Sequence, residues 1–334
     1  MPFNGVHNCT QGGRGHGFQA VGIWRKLQST NHPALIRNFP NGPNLSIYSE
    51  TSFTSTDGLR LYARDYPPAS GPAQLPVICI HGLTRNSSDF EEVAPWIASL
   101  GRRVLAVDVR GRGHSAHDPD PSHYNPMVYA GDVIKLAHDL GISRAVFIGT
   151  SMGGLITMTL AMRRPKLIAA AVLNDIGPAL SPRGLERIAT YVGKGQAPRS
   201  WAEAADYTRS INECAFPSNT DEDWHKWARR AFVETDAGQL AMRYDPNIAV
   251  PIKAGKVKPS SMMARYAFRR LARACPTLVI RGALSDLIEP EQVAMMRAAA
   301  PSMQFAEVPD VGHAPMLMEA AAQEALRAFL DQVD

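Results

Sequence analysis

A serine hydroxyl attacks a carbonyl usefully only when a base takes its proton and a third group holds that base in place. Gly149-Thr150-Ser151-Met152-Gly153 has the spacing G-x-S-x-G, which presents a serine on a strained turn between a strand and a helix. The context fits. Four apolar residues, Ala145 to Ile148, read as a short buried strand, and Met152 to Arg164 reads as a helix stopped by Pro165. Gly149 and Gly153 flank the turn because side chains there would clash as strand and helix close on each other, and Gly154 extends the clearance. The turn also sets the Met152 N–H at a helix start, where peptide N–H groups favour a developing negative charge.

A base and an acid follow later in the chain. Of the ten histidines, His313 is the one that follows the last apolar strand, Gln304 to Val308. Asp286 lies in the loop after Thr277 to Ile280, and groups that do chemistry on parallel sheets gather at such strand ends. Asp175, after the strand Ile168 to Leu173, and Asp310 are competing carboxylates. Asp286 is preferred because it alone lies in the usual place between a long helical segment and the histidine. Read singly, Asp286 would be a helix cap near Pro290 and His313 an ordinary loop residue. His81-Gly82 follows another apolar strand, so the N–H groups of Leu83 and Met152 are expected to receive the oxyanion. Asp108, Arg110 and His114 are expected to form a loop network around Gly111 and Gly113.

The elements that must position these groups alternate. Ser52 to Thr56 and Leu59 to Tyr66 read as strands joined at Asp57-Gly58, a strong hairpin signal. Apolar strands at Val77 to Ile80, Val104 to Val107, Ala145 to Ile148 and Ile168 to Leu173 are separated by amphipathic helical stretches, the rhythm of parallel βαβ units. From Ser181 to Ala274 only helical patterns appear, with Trp201, Trp224, Trp227, Tyr191, Tyr207 and Phe232 among them. This segment reads as an inserted cap that selects substrate by shape. The strand rhythm then resumes to the C-terminus. Residues 1–50 are rich in Gly, Asn, Pro and Ser and read as an extension, partly disordered or draped on the surface. Within it Ala20 to Leu27 hints at a helix, and His7, Cys9 and His16 lack a fourth metal ligand.

Composition excludes several classes. With 45% hydrophobic and 20% charged residues the chain is an ordinary globular one. Its 35 basic and 31 acidic residues leave a net charge of only +4, dispersed rather than striped, which argues against a nucleic-acid partner. No apolar run approaches the roughly 18 residues of a membrane span, and no membrane partner is expected. The four cysteines, Cys9, Cys79, Cys214 and Cys275, have no metal-ligand spacing, and no dinucleotide fingerprint is present. No cofactor and no metal are therefore expected. A reduced, cytoplasmic setting fits, the chain opening without the apolar core of a signal peptide, and the sequence leaves room for a homo-oligomer.

Taken together, His81-Gly82, the run Asp108 to Ser115, Gly149 to Gly154, Gly282 to Asp286 and Gly312-His313 resemble the α/β-hydrolase fold superfamily from about Ser52 onward. Within it the chain is similar to capped bacterial serine esterases, enol-lactonases, C–C bond hydrolases and cofactor-free haloperoxidases. The resemblance implies a mostly parallel central sheet flanked by helices with an inserted helical cap. The core is then residues 51–180 and 275–334, and the cap residues 181–274. It also implies a Ser151–His313–Asp286 triad that hydrolyses a small-molecule carboxylic ester through an acyl-enzyme. Serine at position 151 argues against the aspartate-dependent dehalogenases and epoxide hydrolases. A binding module that keeps the fold without the chemistry should have lost a triad member, and none is missing.

Overall fold

A computed structural model describes residues 47–333, apart from 72–73, 195–196 and 256–257. The expected extension lies outside the described residues as far as Ser46, and with it Ala20 to Leu27 and the residues His7, Cys9 and His16. The remainder forms one compact unit.

Ten strands and ten α-helices are present among the described residues. The first hairpin pairs β1 (Ser49–Thr54) with β2 (Arg60–Tyr66) antiparallel, the turn closing where Gly58 takes a positive φ of 91°. Then come β3 (Val77–Ile80), α1 (Val93–Ser99), β4 (Val104–Asp108), α2 (Pro126–Asp139), β5 (Ala145–Thr150), α3 (Met152–Arg163) and β6 (Ile168–Asn174). The cap region holds α4 (Pro182–Tyr191), α5 (Trp201–Asn212), α6 (Asp221–Ala231), a hairpin of β7 (Phe232–Glu234) and β8 (Leu240–Met242), and α7 (Val250–Lys253). The chain ends with α8 (Met262–Ala274), β9 (Thr277–Gly282), α9 (Pro290–Ala299), β10 (Gln304–Val308) and α10 (Ala320–Leu330).

Eight strands make one sheet in the order β1-β2-β4-β3-β5-β6-β9-β10, parallel from β4 to β10. Strands β3, β4, β6 and β9 are buried at every position, as expected where helices cover both faces of a parallel sheet. One apolar cluster joins Ile97, Phe329 and Leu326 of α1 and α10 to one face; the other joins Leu136, Ile156, Phe268 and Met296 of α2, α3, α8 and α9 to the opposite face. Helix α8 thus belongs to the core layer, packed on α3, although the sequence pattern assigns it to the cap. Its apolar face, Ala267, Phe268 and Leu271, is that of a sheet-covering helix.

The cap has an aromatic cluster of its own, in which Trp227 packs edge-on against both Trp224 and Phe216. Arg230 clasps it to the core through Glu91 (2.8 Å) and Glu92 (2.5 Å). The hairpin β7–β8 was not expected from the helical pattern. Its strands have three residues each, too short for a two-residue alternation to show, and Gly238 (φ 72°) makes its turn.

The expected loop network after β4 is present. Asp108 accepts the N–H of Ser87 (2.6 Å) and of His114 (2.8 Å), and the buried Arg110 is shared among Asp57, Asp118 and Asp132. Gly113 has φ 58°, and a Cβ there would lie 2.1 Å from Asp108 Oδ2. Gly58 also has positive φ, but a Cβ there would meet nothing within 4 Å. Gly113→Ala should therefore lose about 2–4 kcal/mol, and Gly58→Ala about 1 kcal/mol, the strain alone. Urea denaturation midpoints of the two variants check the difference; equal losses would contradict it.

Candidate active site

Strand register brings the site together before any side chain does. Ile80 of β3 lies opposite Gly149 of β5, Thr150 of β5 opposite Asn174 of β6, and Asn174 opposite Ile280 of β9. The loops leaving these strands at Gly82, Ser151, Asp175 and Gly282 are therefore neighbours. Val308 of β10 pairs with Gly282, which brings the following loop, with His313, to the same edge.

Ser151 has φ 51° and ψ −114°, a backbone that costs a non-glycine residue about 1–3 kcal/mol. Packing enforces it. A Cβ on Gly153 would lie 2.0 Å from the Ile80 carbonyl, and one on Gly149 2.5 Å from the Gly153 backbone. The Ser151 N–H is tied to the Asn174 carbonyl (2.9 Å). Its Oγ stands 2.9 Å from His313 Nε2, and His313 Nδ1 stands 2.7 Å from Asp175 Oδ2. A carboxylate accepts the Nδ1 proton, which leaves Nε2 free to accept from the serine hydroxyl.

Asp175 is fully buried, and a buried carboxylate needs donors around it. Its Oδ1 accepts the Gly282 N–H (3.1 Å) and its Oδ2 accepts the Ser285 hydroxyl (2.6 Å) beside the imidazole. Ser285 Oγ in turn accepts the N–H groups of Leu287 and Ile288, each at 3.2 Å. Asn174 donates to the Pro315 carbonyl (2.8 Å), linking the end of β6 to the histidine loop.

This corrects the acid expected from the sequence. Asp286 does not meet His313; its carboxylate takes a bidentate pair from Arg187 of α4, at 2.5 and 2.8 Å. Helix α4 lies directly on that loop, where a Cβ on Gly184 would come 2.6 Å from the Asp286 carbonyl, so the nearest partner is the cap. Burial pushes the Asp286 carboxyl up, but Arg187 outweighs it and holds the group below its ordinary range. The loop picked out by the sequence supplies Gly282 and Ser285, which hold the carboxylate that meets His313, rather than that carboxylate itself. Ser285 was missed. Asp175 carries a signal in the sequence, a carboxylate one residue past the strand that neighbours the serine strand. Asp310 is exposed, at a turn with φ 60°.

The two residues expected at the oxyanion flank Ser151. Met152 opens α3, so its N–H has no acceptor within the helix. A Cβ on Gly82 would lie 3.7 Å from Ser151 Cβ, placing the Gly82–Leu83 backbone beside the nucleophile position. The Leu83 carbonyl is turned away to Arg112 Nε (3.0 Å). Buried His81 fixes the same loop: Nδ1–H donates to the Gly82 carbonyl (2.7 Å) and Nε2 accepts the Val109 N–H (3.1 Å). Burial lowers its pKa to about 4, which keeps the ring neutral and able to do both.

Ser151 and His313 face a cavity of about 90 Å³. Ile188, Tyr191, Ile211, Phe216 and Trp227 of the cap form its apolar wall, and Asn212 and the Arg85–Asp89 pair (2.7 and 2.8 Å) are polar points on it. Among the described residues, one group has metal-ligand spacing, Asp57, Asp118 and His123. Arg110 already sits on both of its carboxylates, and none of the three lines this cavity.

The chain is similar to known proteins in sequence and in fold. The family profile of the alpha/beta hydrolase fold matches residues 76–320. The 3-hydroxybutyrate-oligomer hydrolase of Cupriavidus necator is 37% identical over 252 residues, 73% of this chain and 84% of that protein. The mouse sn-1-specific diacylglycerol lipase ABHD11 is 28% identical over 274 residues, 79% of this chain and 84% of that one. The crystal structure of an alpha/beta hydrolase from Novosphingobium aromaticivorans superposes with a TM-score of 0.80 at 41% identity, covering 86% of this chain and all (100%) of that one. The chain is a member of the α/β-hydrolase fold family.

Proposed function

We propose that the protein is a serine hydrolase that cleaves small carboxylic esters through an acyl-enzyme, with Ser151 as nucleophile, His313 as base and Asp175 as the acid that orients it. The observation that carries this is the continuous chain from Ser151 Oγ through His313 to Asp175, at 2.9 and 2.7 Å.

Ser151 Oγ attacks the ester carbonyl while His313 Nε2 takes its proton. Asp175 stabilises the imidazolium, and the Leu83 and Met152 amides receive the oxyanion. As the C–O bond breaks, His313 returns the proton to the departing alcohol. Water, deprotonated by the same imidazole, then attacks the acyl-enzyme and releases the acid and free Ser151. The small cavity suits a short acyl chain, and its polar points suit a second oxygen function on that chain. This supports a short hydroxy-acid oligoester as substrate, the class named for the Cupriavidus relative. Comparing kcat/KM for 3-hydroxybutyrate oligomers with that for p-nitrophenyl esters of rising chain length tests the reading. The short oligomers should lead, and turnover confined to long-chain acyl esters would contradict it.

Ser151→Ala should lower kcat by about 10⁴- to 10⁶-fold. Activity within tenfold of the parent would remove Ser151 from the mechanism. Asp175→Asn should cost about 10⁴-fold in kcat, because the wrong tautomer of His313 is then favoured. Asp286→Asn in the same assay should stay within about tenfold, since its partner is Arg187 rather than the imidazole. The reverse ranking would restore Asp286 as the acid.

Asp286 has its own signature. Its folded carboxyl titrates below the ordinary value of roughly 3.9, so its stabilisation is present above that pH and is lost as pH falls through the folded value. Asp286→Asn should be less stable than the parent near about pH 7, with the gap closing towards about pH 3. Urea midpoints at the two pH values check this, and a gap that stays constant would contradict it.

A further inference from the structure

Helix α8 turns two unlike surfaces outward and inward. Ala267, Phe268 and Leu271 are buried against the core. On the other side Met262 is 90% exposed, Met263 62% and Tyr266 56%. Unbranched and aromatic apolar side chains at such exposure, grouped within one and a half turns, are unusual on a solvated helix. They open α8, which is held there by its Ser261 cap (3.0 Å to the Ala264 N–H).

The stretch of chain that carries α8 is of one sign. Between Asp245 and Asp286 the sequence contains no Asp or Glu, while Lys253, Lys258, Arg265, Arg269, Arg270 and Arg273 are all present. Arg265 donates to the Ser260 hydroxyl (3.1 Å) and Arg270 to the Ala161 carbonyl (2.8 Å), both uncharged partners. Arg269 and Arg273 are exposed and form no ion pair among the described residues. Exposed Arg164 and Lys166 follow α3, against which α8 packs.

We propose that this face docks on an anionic lipid surface, Met262, Met263 and Tyr266 entering the headgroup boundary and the surrounding Arg and Lys side chains meeting the lipid phosphates. A small apolar tip continued by a basic helix is the composition of an interfacial anchor. A second copy of the chain fits poorly, because pairing this face with itself would oppose like charges. A nucleic acid would use the cations but offer no apolar layer for the methionines. The lack of a spanning run argues only against crossing a membrane, and no helix among the described residues is long and apolar enough to cross one. Lying on a surface needs no such helix. The position matters for the site. Pro259 and Ser260, just before α8, pair with Leu180 and Ala179, just before α4, and α4 carries Ile188 and Tyr191 of the cavity wall.

The test is sedimentation of the full chain with phosphatidylcholine vesicles that do or do not contain about 30% phosphatidylglycerol, where a few basic residues should raise partitioning at least about tenfold. Binding should fall as salt is raised from about 0.1 to 0.5 M. Met262→Ser with Met263→Ser, and separately Arg269→Glu with Arg273→Glu, should each abolish most of the difference while leaving turnover of a water-soluble ester unchanged. Equal binding to neutral and anionic vesicles, no binding at all, or binding that survives both double variants would overturn the proposal. So would a parent dimer, seen by light scattering, that the methionine variant dissolves.

Discussion

Thr150 lies opposite Asn174 in the β5–β6 pair, so the residues that leave the sheet next, Ser151 and Asp175, leave it side by side. That register is enforced by the buried apolar side chains from Ile168 to Leu173 of β6 and from Ala145 to Ile148 of β5, and a slip by one residue would reverse every one of them. The arrangement around His313 depends on it. A fully buried carboxylate is tolerable only with its donors in place, and Gly282, Ser285 and the imidazole supply them. Gly282 and Ser285 come from the end of β9 and the loop after it and His313 from the loop after β10, so the carboxylate also gathers these two loops around it.

The second constraint is the attachment of the cap. Arg187 and Arg230 both reach from cap helices to carboxylates of the core, Asp286 in one case and Glu91 and Glu92 in the other. Gly312 donates to the Ala215 carbonyl (2.6 Å), so the histidine loop itself touches the cap. The residues that shape the cavity, Ile188, Phe216 and Trp227, are thereby held against the residues proposed to do the chemistry. A cap fixed at several points can exclude water from a small site, which strengthens every charge interaction inside it.

Much of this was legible in the sequence because it is local. The apolar strands, the glycines around Ser151 and the Asp57-Gly58 turn each act over a few residues, and pattern alone reveals them. His313 was legible by its place after the last strand. What the sequence did not settle depends on contacts across the sheet. Asp175 and Asp286 are both strand-end carboxylates, and only the pairing of β5 with β6 and the position of Arg187 separate them. Ser285 carries no motif; its role exists only because two backbone N–H groups turn its hydroxyl onto Asp175. Helix α8 looked like cap because it follows cap helices, whereas its apolar face packs on α3.

The central claim is that Asp175, rather than Asp286, holds the His313 ring, and the proton between them reports it directly. In proton NMR spectra of the full chain, the Nδ1 proton of His313 should appear as a low-field resonance protected from exchange by burial. It should vanish in Asp175→Asn and persist, little shifted, in Asp286→Asn. Loss of the resonance in Asp286→Asn with its retention in Asp175→Asn would contradict the account.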